Sequence, residues 1–111
     1  MSQSYVPDAG DIVWLSFDPR IGHEQSGHRP ALVLSPASYN QQRGMMIACP
    51  MTSRIKGYAF EVVVGRDPDS VVLADQVRSL DWRQRGATFK EKVAPSVLLE
   101  VRSKLGPLLG L

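Results

Sequence analysis

Both histidines of the chain, His23 and His28, lie in the stretch 23–30, with Glu24 between them. Histidines and a glutamate are the residue types of a zinc-binding helix. Two ligands on one helical face need a spacing of four, which separates them by about 40°, whereas a spacing of five separates them by about 140°. Gly27 and Pro30 also disfavour a helix. We therefore expect no metal site here, and no other cysteine or carboxylate cluster has metal-ligand spacing.

The residue after the second histidine, Arg29, has the chemistry of an anion-binding group. A planar guanidinium offers a fork of donors that matches phosphate oxygens. It precedes the apolar run 31–34, so it would lie at the mouth of a strand. A structural salt bridge to Glu24 or Asp18 is the alternative, and spacing alone does not decide between the two.

Short apolar runs, each bounded by Gly, Pro, Asp or Asn, must position these side chains, and they are typical of a β protein. The runs are 12–17, 31–34, 45–49, 58–64 and 71–74. Apolar residues in 58–64 alternate with a period of two, as in a half-buried strand. The run 31–34 is apolar throughout, which suits a strand covered on both faces. Turns are predicted at 18–22, 39–44 and 66–70.

The last segment has helical rather than strand periodicity. Pro95 suits a first helical position, and Val97, Val101 and Leu105 follow at spacings of four, which predicts a helix over 95–105. The pair 106–107, Gly-Pro, is expected to end or kink it. The fold class is therefore mainly β, a small β-barrel or curled antiparallel sheet with a C-terminal helix, in a single domain over 1–111.

Composition and charge indicate an ordinary globular chain. Hydrophobic residues make up 43% and charged residues 22%, unlike a disordered protein. The single cysteine, Cys49, lies in an apolar run and is read as a buried thiol. No apolar run approaches the roughly 18 residues that span a bilayer, and the start is unlike a signal peptide. A cytoplasmic location is expected.

The net charge of +2 is small, but basic residues concentrate between Arg78 and Lys92. That stretch holds five basic residues against two acidic ones. A stripe that faces a polyanion is one interpretation. A solvated charged edge is the other.

Seven blocks follow one another along nearly the whole chain: "VPDAGDIVWLSFDP", "GHEQSGHRPALVLSP", "YN", "CPMTS", "KGYAFEV", "ADQVRSLDWRQRGA" and "VAP". In order and spacing they resemble the MazF/PemK family of toxin-antitoxin ribonucleases, and MazF more than PemK. The resemblance implies an SH3-like β-barrel with a terminal helix, assembled as a homodimer. It also implies cleavage of single-stranded RNA, such as mRNA, at short motifs, ACA by default. That cleavage uses no metal or cofactor and leaves 2′,3′-cyclic phosphate and 5′-hydroxyl ends.

The resemblance assigns three catalytic positions. The family's arginine corresponds to Arg29, its threonine to Thr52 and its loop glutamate to Glu24. Arg29 would stabilise transition-state charge, Thr52 would orient the phosphate or relay a proton, and Glu24 would accept the 2′-hydroxyl proton. On the residues alone, Thr52 could equally be a turn hydroxyl bonded to backbone.

Polar residues in the predicted loops are candidates for reading splayed RNA bases. The RNA-binding candidates are Gln25, His28, Ser53, Lys56, Gln76, Arg78 and Arg85. A structural histidine that anchors the loop is the alternative for His28.

Partner binding is the remaining implication. Several strands are apolar on both faces, which favours a homodimer. The resemblance implies a cognate MazE-like antitoxin, whose acidic, flexible tail would wrap the groove between protomers. Trp14, Phe17 and Trp82 are candidate apolar anchors for that tail, with ordinary core as the alternative.

A non-catalytic toxin or binding module on the same barrel is the competing function. Gyrase-poisoning toxins share the fold but depend on a C-terminal Trp-Gly-Ile, whereas this sequence ends Leu109-Gly110-Leu111. A plain RNA-binding module would explain the basic stretch and would leave Arg29 and Thr52 without a particular role.

Overall fold

The structure, a computed structural model, describes residues 5–17, 28–65 and 70–111. Within these ranges two helices, α1 and α2, accompany a seven-stranded antiparallel sheet. The strands are β1 (Asp11–Ser16), β2 (His28–Val33), β3 (Met46–Thr52), β4 (Glu61–Val63), β5 (Val71–Leu73), β6 (Arg78–Leu80) and β7 (Thr88–Lys92). The helices are α1 (Ala37–Arg43) and α2 (Pro95–Leu108), and a 3-10 turn occupies Ala74–Gln76.

The sheet follows the order β4-β5-β3-β2-β1-β7, and β6 pairs with β3 off this path. Strand β3 uses its first half to pair with β6 and its last two residues to pair with β5. No pairing joins β4 to β7 among the described strands, so the sheet is not closed. The prediction of a mainly β fold, a curled antiparallel sheet with a C-terminal helix, is confirmed.

The core lies on both faces of this sheet. Leu32 of β2 belongs to one apolar cluster, whereas its neighbours Ala31 and Val33 belong to another, and all three are fully buried. Helix α2 covers the first cluster with Val101 and Leu105. The prediction that 31–34 is covered on both faces is confirmed. Because one chain supplies both cores, this apolarity does not by itself require a second copy.

Helix α1 occupies a segment for which the sequence predicted a turn, and that prediction was wrong. The helix is held by Asn40, whose buried side chain bonds Ser35 and the carbonyl of Pro7. Gly44 ends the helix at φ 69°, the left-handed conformation that favours glycine. The polar sequence of 37–43 gives no apolar periodicity from which this helix could be read.

Helix α2 begins at Pro95 as predicted, but it runs to Leu108 and does not end at Gly106. Pro107 lies in the last turn, where a missing N–H removes a single helical bond. The N–H of Leu109 still donates to the carbonyl of Leu105 at 2.9 Å. None of the described helices is long and apolar enough to cross a membrane.

Cys49 is fully buried, and its thiol lies 3.7 Å from the carbonyl oxygen of Ala74. Burial, together with the charge of Asp75, raises the pKa of this thiol to about 12. The interpretation of Cys49 as a buried structural thiol is confirmed.

Candidate functional site

The pairing of β2 with β3 sets the positions of Arg29 and Thr52. Ala31 lies opposite Pro50, and continuing this antiparallel register by two residues brings Arg29 opposite Thr52. Residues opposite each other project from the same face. Arg29 is exposed and Thr52 half-buried. Both line a groove of about 630 Å³ and also a second cavity of about 390 Å³.

The larger cavity, called the main groove below, combines positive charge with aromatic surface. Four cationic side chains line it, against two carboxylates, Glu61 and Asp75. The cationic residues are Arg29, Arg54, Lys56 and Arg78, and the aromatic ones are Phe17, Tyr58 and Phe60. Positive charge attracts a polyanion, and aromatic faces offer stacking surfaces for planar bases. The main groove therefore has the chemistry of a single-stranded nucleic-acid site.

The hydroxyl of Thr52 already has one backbone partner. Its Oγ1 accepts a hydrogen bond from the N–H of Arg54 at 3.1 Å, as in a Ser/Thr turn. A hydroxyl also carries a proton of its own to donate. Thr52 can therefore hold the turn and donate to a phosphate oxygen at the same time, so its two proposed roles are compatible.

Phe17, Gln76 and Arg78 all line the main groove. The guanidinium of Arg78 lies 5.7 Å from the centre of the Phe17 ring, within cation-π range. Gln76 is exposed at the end of the 3-10 turn. Phe17, after β1, therefore lies in one cavity with Gln76 and Arg78, which are two residues apart and far along the chain from it.

The segment after Thr52, residues 53–60, presents Lys56 and Tyr58 to the main groove. Tyr58 is 62% exposed, and the Lys56 ammonium lies 5.8 Å from its ring centre. The sequence placed Tyr58 inside a strand, but β4 begins only at Glu61. Tyr58 was therefore missed as a site residue. The neighbouring pair Lys56-Gly57 was the available signal for a loop.

The second cavity contains Trp14, Ser53 and Lys90 beside Arg29 and Thr52. Trp14 is 37% exposed. The ammonium of Lys90 lies 5.5 Å from its ring centre. The predicted RNA contact His28 is exposed and lines neither cavity. Its ring centre lies 6.4 Å from that of Trp14.

The basic stretch from Arg78 to Lys92 does not form one face. Arg83 lies over the Trp82 ring at 4.8 Å and donates to a carbonyl of α1. Arg85, a predicted RNA contact, donates to the carbonyl of Ser16 at 3.0 Å and lines neither cavity. Lys92 pairs with buried Asp11 at 2.9 Å. These three cations serve structure, and only Arg78 of the stretch reaches the main groove.

Trp82 is part of the core and is not exposed as the anchor that the sequence suggested. It is 6% exposed, and its indole N–H donates to the carbonyl of Asn40 at 2.9 Å. A buried indole needs such a partner. Ordinary core, the alternative that the sequence left open for Trp82, therefore describes this side chain.

Two site predictions, Glu24 and Gln25, and the histidine His23 lie outside the described residues. Within the described ranges, no group of three or more His, Cys, Asp or Glu side chains could hold a metal ion.

Comparison with known proteins gives consistent matches along the chain. Residues 8–109 match the model of a family described as PemK-like, MazF-like toxin of type II toxin-antitoxin system. The chain is 53% identical to the endoribonuclease toxin MazF of Escherichia coli K12, covering 99% of this chain and 100% of that protein. It is 35% identical to the Escherichia coli endoribonuclease PemK, covering 92% and 81%.

Solved structures agree with the sequence matches. MazF in a MazE-MazF crystal structure from Deinococcus radiodurans (Form-II) is 59% identical, with a TM-score of 0.88, covering 97% of this chain and 99% of that one. The chain belongs to the PemK-like, MazF-like family of toxins of type II toxin-antitoxin systems.

Proposed function

We propose that this endoribonuclease toxin cleaves single-stranded RNA, including mRNA, at Arg29 and Thr52, which line both cavities. The 2′-hydroxyl of one nucleotide would attack the adjacent phosphate. The bond to the 5′-oxygen would break and that oxygen would take up a proton from solvent, leaving 2′,3′-cyclic phosphate and 5′-hydroxyl ends without a metal or cofactor. The observation that carries the proposal is that Arg29 and Thr52 line both cavities, beside a cationic, aromatic groove. Cleavage of mRNA would inhibit translation and growth.

The proposed roles follow from the chemistry of each group. Arg29 supplies fixed positive charge and several donors to the non-bridging phosphate oxygens, which carry more charge in the transition state. Thr52 donates its hydroxyl proton to the same phosphate while its oxygen accepts from Arg54. Glu24, which the family resemblance suggests, would accept the 2′-hydroxyl proton. Cleavage by a Glu24→Gln variant at the wild-type rate would exclude Glu24 as the base.

Sequence selection would come from the loops around the main groove. Tyr58 and Phe17 offer stacking faces, and Gln76 offers an amide for base edges. Lys56 and Arg78 supply charge for the backbone. We propose an ACA-like motif, which mapping of cleavage sites on a long RNA would test. Frequent cleavage away from ACA would contradict it.

We also propose that the chain forms a homodimer and binds a MazE-like antitoxin through an acidic, flexible tail. The MazE-MazF structures from Deinococcus radiodurans support the antitoxin partner. Trp14 and the half-buried Phe17, which lie at the two cavities, remain the anchor candidates. Light scattering should give the mass of two chains, and a Trp14→Ala variant should bind the antitoxin more weakly. A monomeric mass, or unchanged affinity, would contradict the corresponding proposal.

The deciding experiment uses a defined single-stranded RNA in excess EDTA. Wild type is expected to cleave, and Arg29→Ala to lose about 100-fold to 1000-fold in rate, the usual effect of removing a positioned donor. Arg102→Ala is the matched control, because Arg102 is exposed on α2 and lines neither cavity. Intact RNA with wild type would refute the proposal. Activity abolished by EDTA and restored by a divalent cation would indicate a metal-dependent enzyme.

A further inference from the structure

The main groove contains a carboxylate whose presence needs a physical reason. Glu61 lines this groove beside Lys56 and Tyr58. A negative charge in a site for a polyanion repels the substrate and weakens binding. A carboxylate that favours RNA binding from this position must therefore act through its contacts with the protein.

Both carboxylate oxygens of Glu61 accept hydrogen bonds from the backbone of the segment 53–60. The N–H of Gly57 donates to Oε1 at 2.8 Å, and the N–H of Lys56 donates to Oε2 at 3.1 Å. These charge-assisted bonds are stronger than neutral ones. Gly57 has a φ of 81°, a conformation that favours glycine, so the turn around the carboxylate is sharply defined.

A second contact holds the same segment at Ala59. The ammonium of Lys104, on α2, donates to the carbonyl of Ala59 at 2.8 Å. Glu61 lies in β4, so one regular strand and one regular helix each hold the segment by a charged side chain. Sites held by regular elements are more precise than sites on free loops.

We propose that Glu61 is a positioning residue for RNA, whose carboxylate holds the 53–60 segment so that Lys56 and Tyr58 face the substrate. It acts through those two residues and does not touch the reacting atoms. The inference rests on the proposed function. The two hydrogen bonds from Lys56 and Gly57 to Glu61 are called the clamp below. Loss of the clamp weakens substrate binding and relaxes base selection, and it leaves the Arg29-Thr52 chemistry in place.

Asp75 provides a matched control for charge. It lines the same groove, and its carboxylate makes no hydrogen bond or ion pair with the part of the chain that the structure describes. Asp75→Asn and Glu61→Gln each remove one negative charge from the main groove. Only the second also disrupts the clamp, because a Gln amide keeps one acceptor oxygen and presents an NH₂ group to the other N–H.

The two variants are expected to change KM in opposite directions. Removing repulsion lowers KM in Asp75→Asn. Loss of a charge-assisted clamp raises KM by about 10-fold in Glu61→Gln, with kcat within about 3-fold of wild type. The test is steady-state cleavage of a short single-stranded RNA in EDTA. A KM for Glu61→Gln equal to or below that of wild type would overturn the proposal. Failure of wild type to cleave would instead refute the proposed function.

Hydrogen exchange reports the clamp without RNA. The amides of Lys56 and Gly57 should exchange at least about 10-fold faster in Glu61→Gln than in wild type, since their acceptors are altered. Lys104→Met should also raise KM, because it releases the segment at Ala59. Unchanged exchange at both amides, or a Lys104→Met enzyme with the wild-type KM and cleavage motif, would contradict the account.

Discussion

At the scale of single residues, the site depends on which side chains lie opposite each other in the sheet. The register of β2 and β3 brings Arg29 opposite Thr52, two residues beyond the outermost hydrogen-bonded pair, Ala31 and Pro50. A strand shifted by one residue would send every side chain to the other face. The proposed catalytic pair therefore depends on a register that the buried residues of β2 and β3 enforce.

Thr52 can be tested by separating its hydroxyl from its shape. Thr52→Val keeps the β-branched shape and removes the proton donated to the phosphate, so kcat should fall by about 10-fold to 100-fold. Thr52→Ser keeps the hydroxyl and should retain most of the activity. Single-turnover cleavage measures both variants. Equal rates for the Val and Ser variants would show that the hydroxyl does not contribute to cleavage.

The sequence proposed some candidate residues more clearly than others. Arg29 and Thr52 could be proposed without a structure, because the motifs that contain them, "HRPALVLSP" and "CPMTS", are distinctive. Tyr58 and Glu61 were missed, since alternation in 58–64 made both residues look like parts of one strand. The exposure of Tyr58 and the hydrogen bond from Gly57 to the Glu61 carboxylate depend on the three-dimensional path of the chain, which the sequence pattern does not give.

At the scale of elements, the sequence predicted the strands that contain apolar runs and missed the strands that are mostly polar. β1, β2, β3, β4 and β5 each overlap an apolar run. β7 reads Thr-Phe-Lys-Glu-Lys and is mostly exposed, and it exists because β1 supplies a hydrogen-bonding partner. β6 has three residues and pairs with β3. Such edge strands follow from tertiary pairing and not from local pattern.

Gly57 and Gly65 form a natural pair for testing the 53–60 segment. Their φ angles are 81° and 82°, and an added Cβ would meet no atom within 4 Å at either position. Replacing either glycine by alanine should therefore lower the free energy of unfolding by about 1 kcal/mol, through backbone strain alone. Only Gly57→Ala should also raise KM for RNA. Thermal unfolding checks the first effect and cleavage kinetics the second. Equal KM values in the two variants would contradict a role for the segment's conformation.

At the scale of the whole molecule, two apolar clusters on opposite faces of one sheet stabilise the fold. The buried side chain of Asp11 links the N-terminal segment, at Tyr5, to the outer strand β7, at Lys92. The carboxylate of Asp11 accepts hydrogen bonds from the Tyr5 hydroxyl at 2.5 Å and from Lys92 at 2.9 Å. Burial and the Asp11 hydrogen bond raise the pKa of Tyr5, and the same carboxylate raises the pKa of Lys92.

These shifts predict that stability falls in alkali. Tyr5, Lys92 and Cys49 all have a raised pKa when folded. Their contributions are complete below their unfolded pKa values of about 8.5 to 10.4 and are lost as pH rises towards the folded values. Above about pH 9 the unfolded chain binds fewer protons, so the free energy of unfolding declines with pH.

Urea unfolding between about pH 7 and 11 measures this decline. Tyr5→Phe and Cys49→Ala should each make the free energy of unfolding fall less steeply with pH above about pH 9, whatever the stability of the variant at neutral pH. A slope that is unchanged in both variants would contradict the assignment to these buried groups.

The central claim is that RNA is cleaved through its own 2′-hydroxyl at Arg29 and Thr52. The most direct test is a single-stranded RNA with one cleavage position mapped, compared with the same RNA carrying a 2′-deoxy sugar at that position, both in excess EDTA. The account predicts cleavage of the first to a 2′,3′-cyclic phosphate and no cleavage of the second at that position. Cleavage of the deoxy substrate at a comparable rate, or products with 3′-hydroxyl ends, would contradict it.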